Sequence, residues 1–216
     1  MTEINDLYTF ALLAFTAFFT IINPLGTMPI FMSMTSTLNK QRRKQTAKKA
    51  TLVAFFTIVA FAFSGQVLFN FFGISVNSFR VVGGLIFFMM GWDMLQARLG
   101  QFKHTKEEDE IDAYVEDISI TPLAIPMICG PGAISNAIIL MEDAHTISQK
   151  IVLISIIGFV LLLTYIILIG ASKISDKLGS TGNKVMMRLM GLIVMVIAVE
   201  FFFSGLKPII IGMLEH

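Results

Sequence analysis

Six stretches of this chain are apolar and nearly free of charge over lengths that can cross a bilayer, which leaves few folds open. They run roughly over residues 7–38, 50–74, 79–97, 118–141, 151–172 and 185–214. A hydrocarbon core of about 30 Å takes about 20 such residues as a helix. Inside it the chain must satisfy every backbone N–H and C=O by itself, so runs of this kind are helical. Of 216 residues, 55% are hydrophobic and 14% charged, too little polar surface for a soluble domain of this size. The expected class is an all-α integral membrane protein with six transmembrane helices in one bundle. The N-terminal Met-Thr-Glu-Ile-Asn-Asp lacks the basic region of a secretory signal, so the first run is expected to be retained.

Lysine and arginine orient the bundle. Lys40, Arg42, Arg43, Lys44, Lys48 and Lys49 follow the first run; Arg98, Lys103 and Lys106 follow the third; Lys173, Lys177, Lys184 and Arg188 lie between the fifth and the sixth. These three places share one side of a six-span arrangement and hold 13 of the 16 basic residues. Only Arg80, Lys150 and Lys207 fall on the other. The positive-inside rule makes the basic side cytoplasmic and puts both termini outside. The acidic run from Glu107 to Asp112 is expected to be a solvated cytoplasmic linker, residues 99–117, between halves 1–98 and 118–216.

Those halves match. At an offset of 107 residues Asn23 falls on Gly130, Pro24 on Pro131 and Gly26 on Ala133; at 108, Arg80 falls on Arg188 and Gly83 on Gly191. Each half holds three spans, an odd number, so the second enters the membrane upside down relative to the first. Two inverted three-helix repeats are the expected organisation.

Five of the six prolines lie in the first and fourth runs: Pro24, Pro29, Pro122, Pro126 and Pro131. Each removes an N–H and disrupts the carbonyl four residues back. Backbone freed at this depth is tolerated only where protein or a wet cavity satisfies it. A break also creates helix ends, with free N–H groups and a positive dipole end on one side and free carbonyls on the other. A zwitterion needs both. The candidate substrate-binding residues are therefore Asn23, Pro24, Gly26, Thr27, Thr121, Gly130, Pro131, Gly132, Ala133, Ser135 and Asn136. The half-helices are expected to begin after Gly26 and Gly132, near the midplane, and the small residues there favour a small ligand. A pair of kinks that only shapes packing is the alternative.

Glu200, in the sixth run, and Asp93, in the third, are the acids within the apolar runs and the candidates for a coupling proton, or for ion pairs with Arg188, Arg80 or Arg98. The 14 methionines have no Cys or His beside them within a span that would make a soft-metal site, and Met commonly fills irregular apolar packing. No Ser-His-Asp, His-Glu-x-x-His, Gly-x-Ser-x-Gly or phosphate-loop pattern occurs. An enzyme, a metal, a cofactor and a nucleic-acid partner are not expected.

Two segments carry a family resemblance: Asn23-Pro24-Leu25-Gly26-Thr27-Met28-Pro29-Ile30-Phe31, and Pro122-Leu123-Ala124-Ile125-Pro126 followed by Gly130-Pro131-Gly132-Ala133-Ile134. They resemble the paired signatures of the MarC family, also called the SnatA-type neutral amino acid transporter family and grouped with LysE-type exporters. Cys129 stands where that family often has a small residue such as Ala. The resemblance spans essentially the whole chain. It implies a multi-pass protein of the prokaryotic cytoplasmic (inner) membrane that transports glycine, alanine and similar small neutral amino acids. Another small solute or ion, or a non-transporting scaffold, remains the alternative.

Overall fold

The computed structural model describes residues 2–96 and 108–214. Among them every regular element is helical: α1 (Thr2–Ile22), α2 (Pro24–Met34), α3 (Lys40–Phe72), α4 (Val76–Leu95), α5 (Glu108–Ile118), α6 (Pro131–Asp143) and α7 (Ile147–Leu214). Five helical segments are long and apolar enough to cross a membrane, and a sixth is the pair Ala113–Ile128 and Pro131–Asp143, bent by 57°. The all-α membrane class follows.

The breaks fall where the prolines are, and the half-helices start on them. Pro24 and Pro131 occupy the first turns of α2 and α6, where a missing N–H costs nothing. This moves the helix starts from after Gly26 and Gly132 back onto the prolines. The fourth run is more irregular than one break implies. Thr121 and Ile125 are extended (φ/ψ −126°/123° and −125°/122°), each before a cis proline, so residues 119–128 are not a regular helix.

Local chemistry sets the other boundaries. Asn39 caps α3 by accepting the Arg42 N–H at 2.9 Å, so that helix starts well before its apolar run and carries lysines into the membrane edge. Gly73 ends it at φ 65°, with Ile74 N–H donating to the Phe69 carbonyl at 2.8 Å, and Ser75 at once caps α4. The acidic stretch from Glu108 onward is helical and runs into the fourth span, where a linker was expected; residues 97–107 lie outside the described residues. Between the fifth and sixth runs the chain turns back within α7, whose apolar parts are Ile147–Ala171 and Thr181–Leu214. These two parts run antiparallel. The first lies along α3, with Gly158 against Phe55, and the second along α4, with Gly191 against Gly91 and Gly205 against Asn77; Leu38, Met94 and Met187 pack in one cluster, which brings the start of α3 and the end of α4 to the same end.

The described basic residues Lys40–Lys49, Lys184 and Arg188 therefore share one end of the bundle, and Arg80 and Lys207 the other. α2 ends at the basic end, where the Tyr114 hydroxyl donates to its Met34 carbonyl at 2.7 Å and Arg43 donates to the carbonyls of Thr35, Ser36 and Leu38 in the turn that follows. α6 leaves its own break the opposite way, because the first part of α7 starts just after it and runs back along α3 to Tyr165, beside Lys44 and Lys48; Pro131 lies against Gly83 of α4 and Ile138 against Gly65 of α3. These two short helices are the bundle's centre, with nearly all of α2 and most of α6 buried. α4 buries only Gly83, Gly84, Gly91 and Met94.

Candidate functional site

At the first break Asn23 adopts a left-handed conformation (φ 45°, ψ 67°), uncommon outside glycine but open to Asn. Its Oδ1 accepts the Gly26 N–H at 3.1 Å and so caps α2. Gly26 is required by this arrangement, because a Cβ there would lie 2.5 Å from Asn23 Nδ2. The Thr27 hydroxyl donates back to the carbonyls of Asn23 (3.2 Å) and Ile22 (3.4 Å). The Asn23 NH2 has no hydrogen-bond partner among the described residues.

The second break is built differently. Gly130 precedes Pro131 with extended backbone and cannot cap, so no side chain caps the first turn of α6. Ser135 turns its hydroxyl onto the Pro131 carbonyl at 2.8 Å. Asn136, one turn after Gly132, has a buried Nδ2 with no partner. A buried amide donor left this way costs about 1–3 kcal/mol. One break thus caps itself, and the other leaves donors open.

The tertiary structure sets the breaks side by side. A Cβ on Gly132 would lie 2.9 Å from Ile21 Cγ2, two residues before Asn23, and 3.3 Å from Phe201 Cζ. Phe87 packs at Gly130 and also borders a cavity of about 40 Å3 beside Asn23, Gly26 and Thr27. Ile30, Met90, Met94, Met127 and Ile197 help to close it. One water needs about 10–15 Å3 on this measure, so the cavity admits only a few atoms without side-chain movement. Three of its walls are flexible methionines, which repack readily.

Of the expected site residues, Asn23, Gly26 and Thr27 line the cavity. Pro24, Gly130, Pro131, Gly132, Ala133 and Ser135 are buried but do not line it, although Gly130 and Gly132 touch its lining residues Phe87 and Ile21, and Asn136 lies a turn further along α6. Thr121 is exposed and apart, nine residues before Gly130 in the irregular stretch. Neither acid reaches the cavity. Asp93 is half-buried near the basic end of α4, and Glu200 points outward from α7. The α4 wall escaped the sequence reading, although Phe87, Met90 and Met94 follow helical spacing and mark one face.

A family model described as MarC family integral membrane protein matches residues 8–210. The chain belongs to that family. Among its MarC relatives, a UPF0056 membrane protein of Pyrococcus horikoshii is 40% identical over 199 residues, covering 92% of this chain and 94% of its own. The UPF0056 membrane proteins YvbG of Bacillus subtilis and YhcE of Escherichia coli are each 34% identical and cover 93% of this chain, and 96% and 94% of their own. No solved structure matches the chain. This MarC protein is thus an integral multi-pass membrane protein of a kind found in bacteria and archaea.

Proposed function

We propose that this protein is a secondary carrier for small neutral amino acids such as glycine and alanine, built from two inverted repeats, with its basic end in the cytoplasm of a prokaryotic cell. The observation that carries the reading is the meeting of two half-helix starts, one self-capped and one open. The uncapped first turn of α6 at Gly132 and Ala133, with the unpartnered Asn136 amide, offers donors to a carboxylate. The Thr20 carbonyl, which Pro24 leaves without its helical N–H, is the acceptor offered to the ammonium group. The departure of α2 and α6 in opposite directions suits a carrier that opens alternately to each side. The small cavity and its methionine wall favour a short side chain. Glu200 and Asp93 lie off the cavity, so a coupling role for either acts through helix movement rather than direct contact.

The test is counterflow of labelled glycine and alanine in proteoliposomes. Wild type is expected to exchange both, and Gly132→Leu, which drives a side chain into Ile21 and Phe201, to lose exchange at least tenfold while still inserting. Absence of exchange by correctly inserted wild type for every neutral amino acid would discard the substrate. Loss of assembly rather than exchange in Gly132→Leu would favour the scaffold. Gradient-driven uptake that is undiminished in Glu200→Gln would remove that residue from coupling.

A further inference from the structure

We infer that the basic end of the bundle carries a binding site for an anionic phospholipid, in the groove between α3 and the first span of α7. The groove has a volume of about 530 Å3 and changes chemistry along its length. Lys44 and Lys48, one helical turn apart and both exposed, stand at its mouth. Leu52 and Phe55 continue the α3 wall, facing Gly158 and Tyr165 of α7. Gly158 keeps the floor open, since the nearest atom to a Cβ there would be Phe55 Cε2 at 3.5 Å. Leu52 is 45% exposed, so the groove opens sideways toward lipid.

The two lysines at the groove carry charge with no partner among the described residues. Arg43 is bound to the carbonyls of the turn after α2, and Lys49 pairs with Glu116. Lys44 and Lys48 have no ion pair among the described residues. Two ammonium groups above an apolar trough, with a tyrosine at the same edge, match a phosphate above an acyl chain. A second copy is a poor occupant. A two-fold contact through this face would set Lys44 and Lys48 against their own counterparts. Free phosphate would use the lysines and leave the trough empty.

Native mass spectrometry of the full chain in detergent, titrated with dioleoyl phosphatidylglycerol or dioleoyl phosphatidylcholine, tests this. The wild type is expected to retain the glycerol lipid about thirtyfold better, the combined effect of two lysines near an anionic headgroup. Lys44→Gln with Lys48→Gln should bring the two lipids level. Lys40→Gln with Lys184→Gln removes the same charge at exposed positions off the groove and should keep the preference. Gly158→Leu should lower retention of both lipids. Equal retention by wild type, or equal loss in both lysine pairs, would overturn the site. Displacement by inorganic phosphate at equal concentration would reassign it to a free anion. A dimer lost on Gly158→Leu would assign the groove to a second copy.

Discussion

Gly191→Leu is expected to yield no folded protein. A Cβ at this position would lie 2.8 Å from the Gly91 carbonyl oxygen and 2.8 Å from the Leu95 nitrogen, both backbone atoms. Gly91 is equally tight, its Cβ falling 2.9 Å from the Gly191 oxygen. The two helices touch backbone to backbone, the means by which membrane helices gain packing when lipid is as apolar as their side chains. Overpacking typically costs about 1–3 kcal/mol where side chains can shift. Here only separation of α4 from α7 relieves it, and with it go the neighbouring contacts at Gly84 and Gly205. Against a total stability of about 5–15 kcal/mol, that loss is decisive. Gly212→Leu is the control, because nothing lies within 4 Å of a Cβ there; its stability should stay within about 0.5 kcal/mol of wild type. Fluorescence-detected size exclusion after detergent extraction reads the outcome. A monodisperse, thermally normal Gly191→Leu would show that the seam tolerates opening.

The second large effect separates folding from transport at Asn23. Asn23→Ala loses the cap on Gly26 and forces alanine into a left-handed conformation, each worth about 1 kcal/mol. Its unfolding free energy should fall by about 2 kcal/mol. Asn23→Gly loses the same cap, at a cost of a few tenths of a kcal/mol, yet relieves the backbone, so its stability should match wild type. Both variants remove the free Asn23 NH2 from the cavity wall. If that group holds substrate, both should lose counterflow about tenfold or more, the scale of one hydrogen bond to a charged group. Wild-type exchange by a stable Asn23→Gly would take the first break out of the binding site. Transport that fell in Asn23→Ala alone would trace the effect to stability.

Much of the architecture was legible along the chain because its causes are local. Prolines 24 and 131 can sit at a helix start and not in a helix interior, so the breaks were readable to within a few residues. The exact starts were misplaced because proline's preference for the first turn was outweighed in the reading by glycine's freedom. Irregular backbone at Thr121 and Ile125 was likewise signalled by Pro122 and Pro126, but its extent was not. The helix over Glu108–Ile118 was missed because a run of acids reads as solvated linker until the fourth span it feeds into is visible.

The sequence by itself determined that the chain is a helical membrane protein, where two of its helices must break, and which end carries the positive charge. Each follows from backbone hydrogen bonding without water, from proline's missing N–H, and from the placement of lysine and arginine. Only the tertiary structure decided that Ile21 and Gly132 touch, that Phe87 and Met90 help to enclose the cavity, and that Glu200 faces outward. In water, the apolar stripe of a helix names its buried side. In a bilayer lipid and protein are equally apolar, so periodicity says little about facing, and the packing of small residues such as Gly91 and Gly191 chooses it instead.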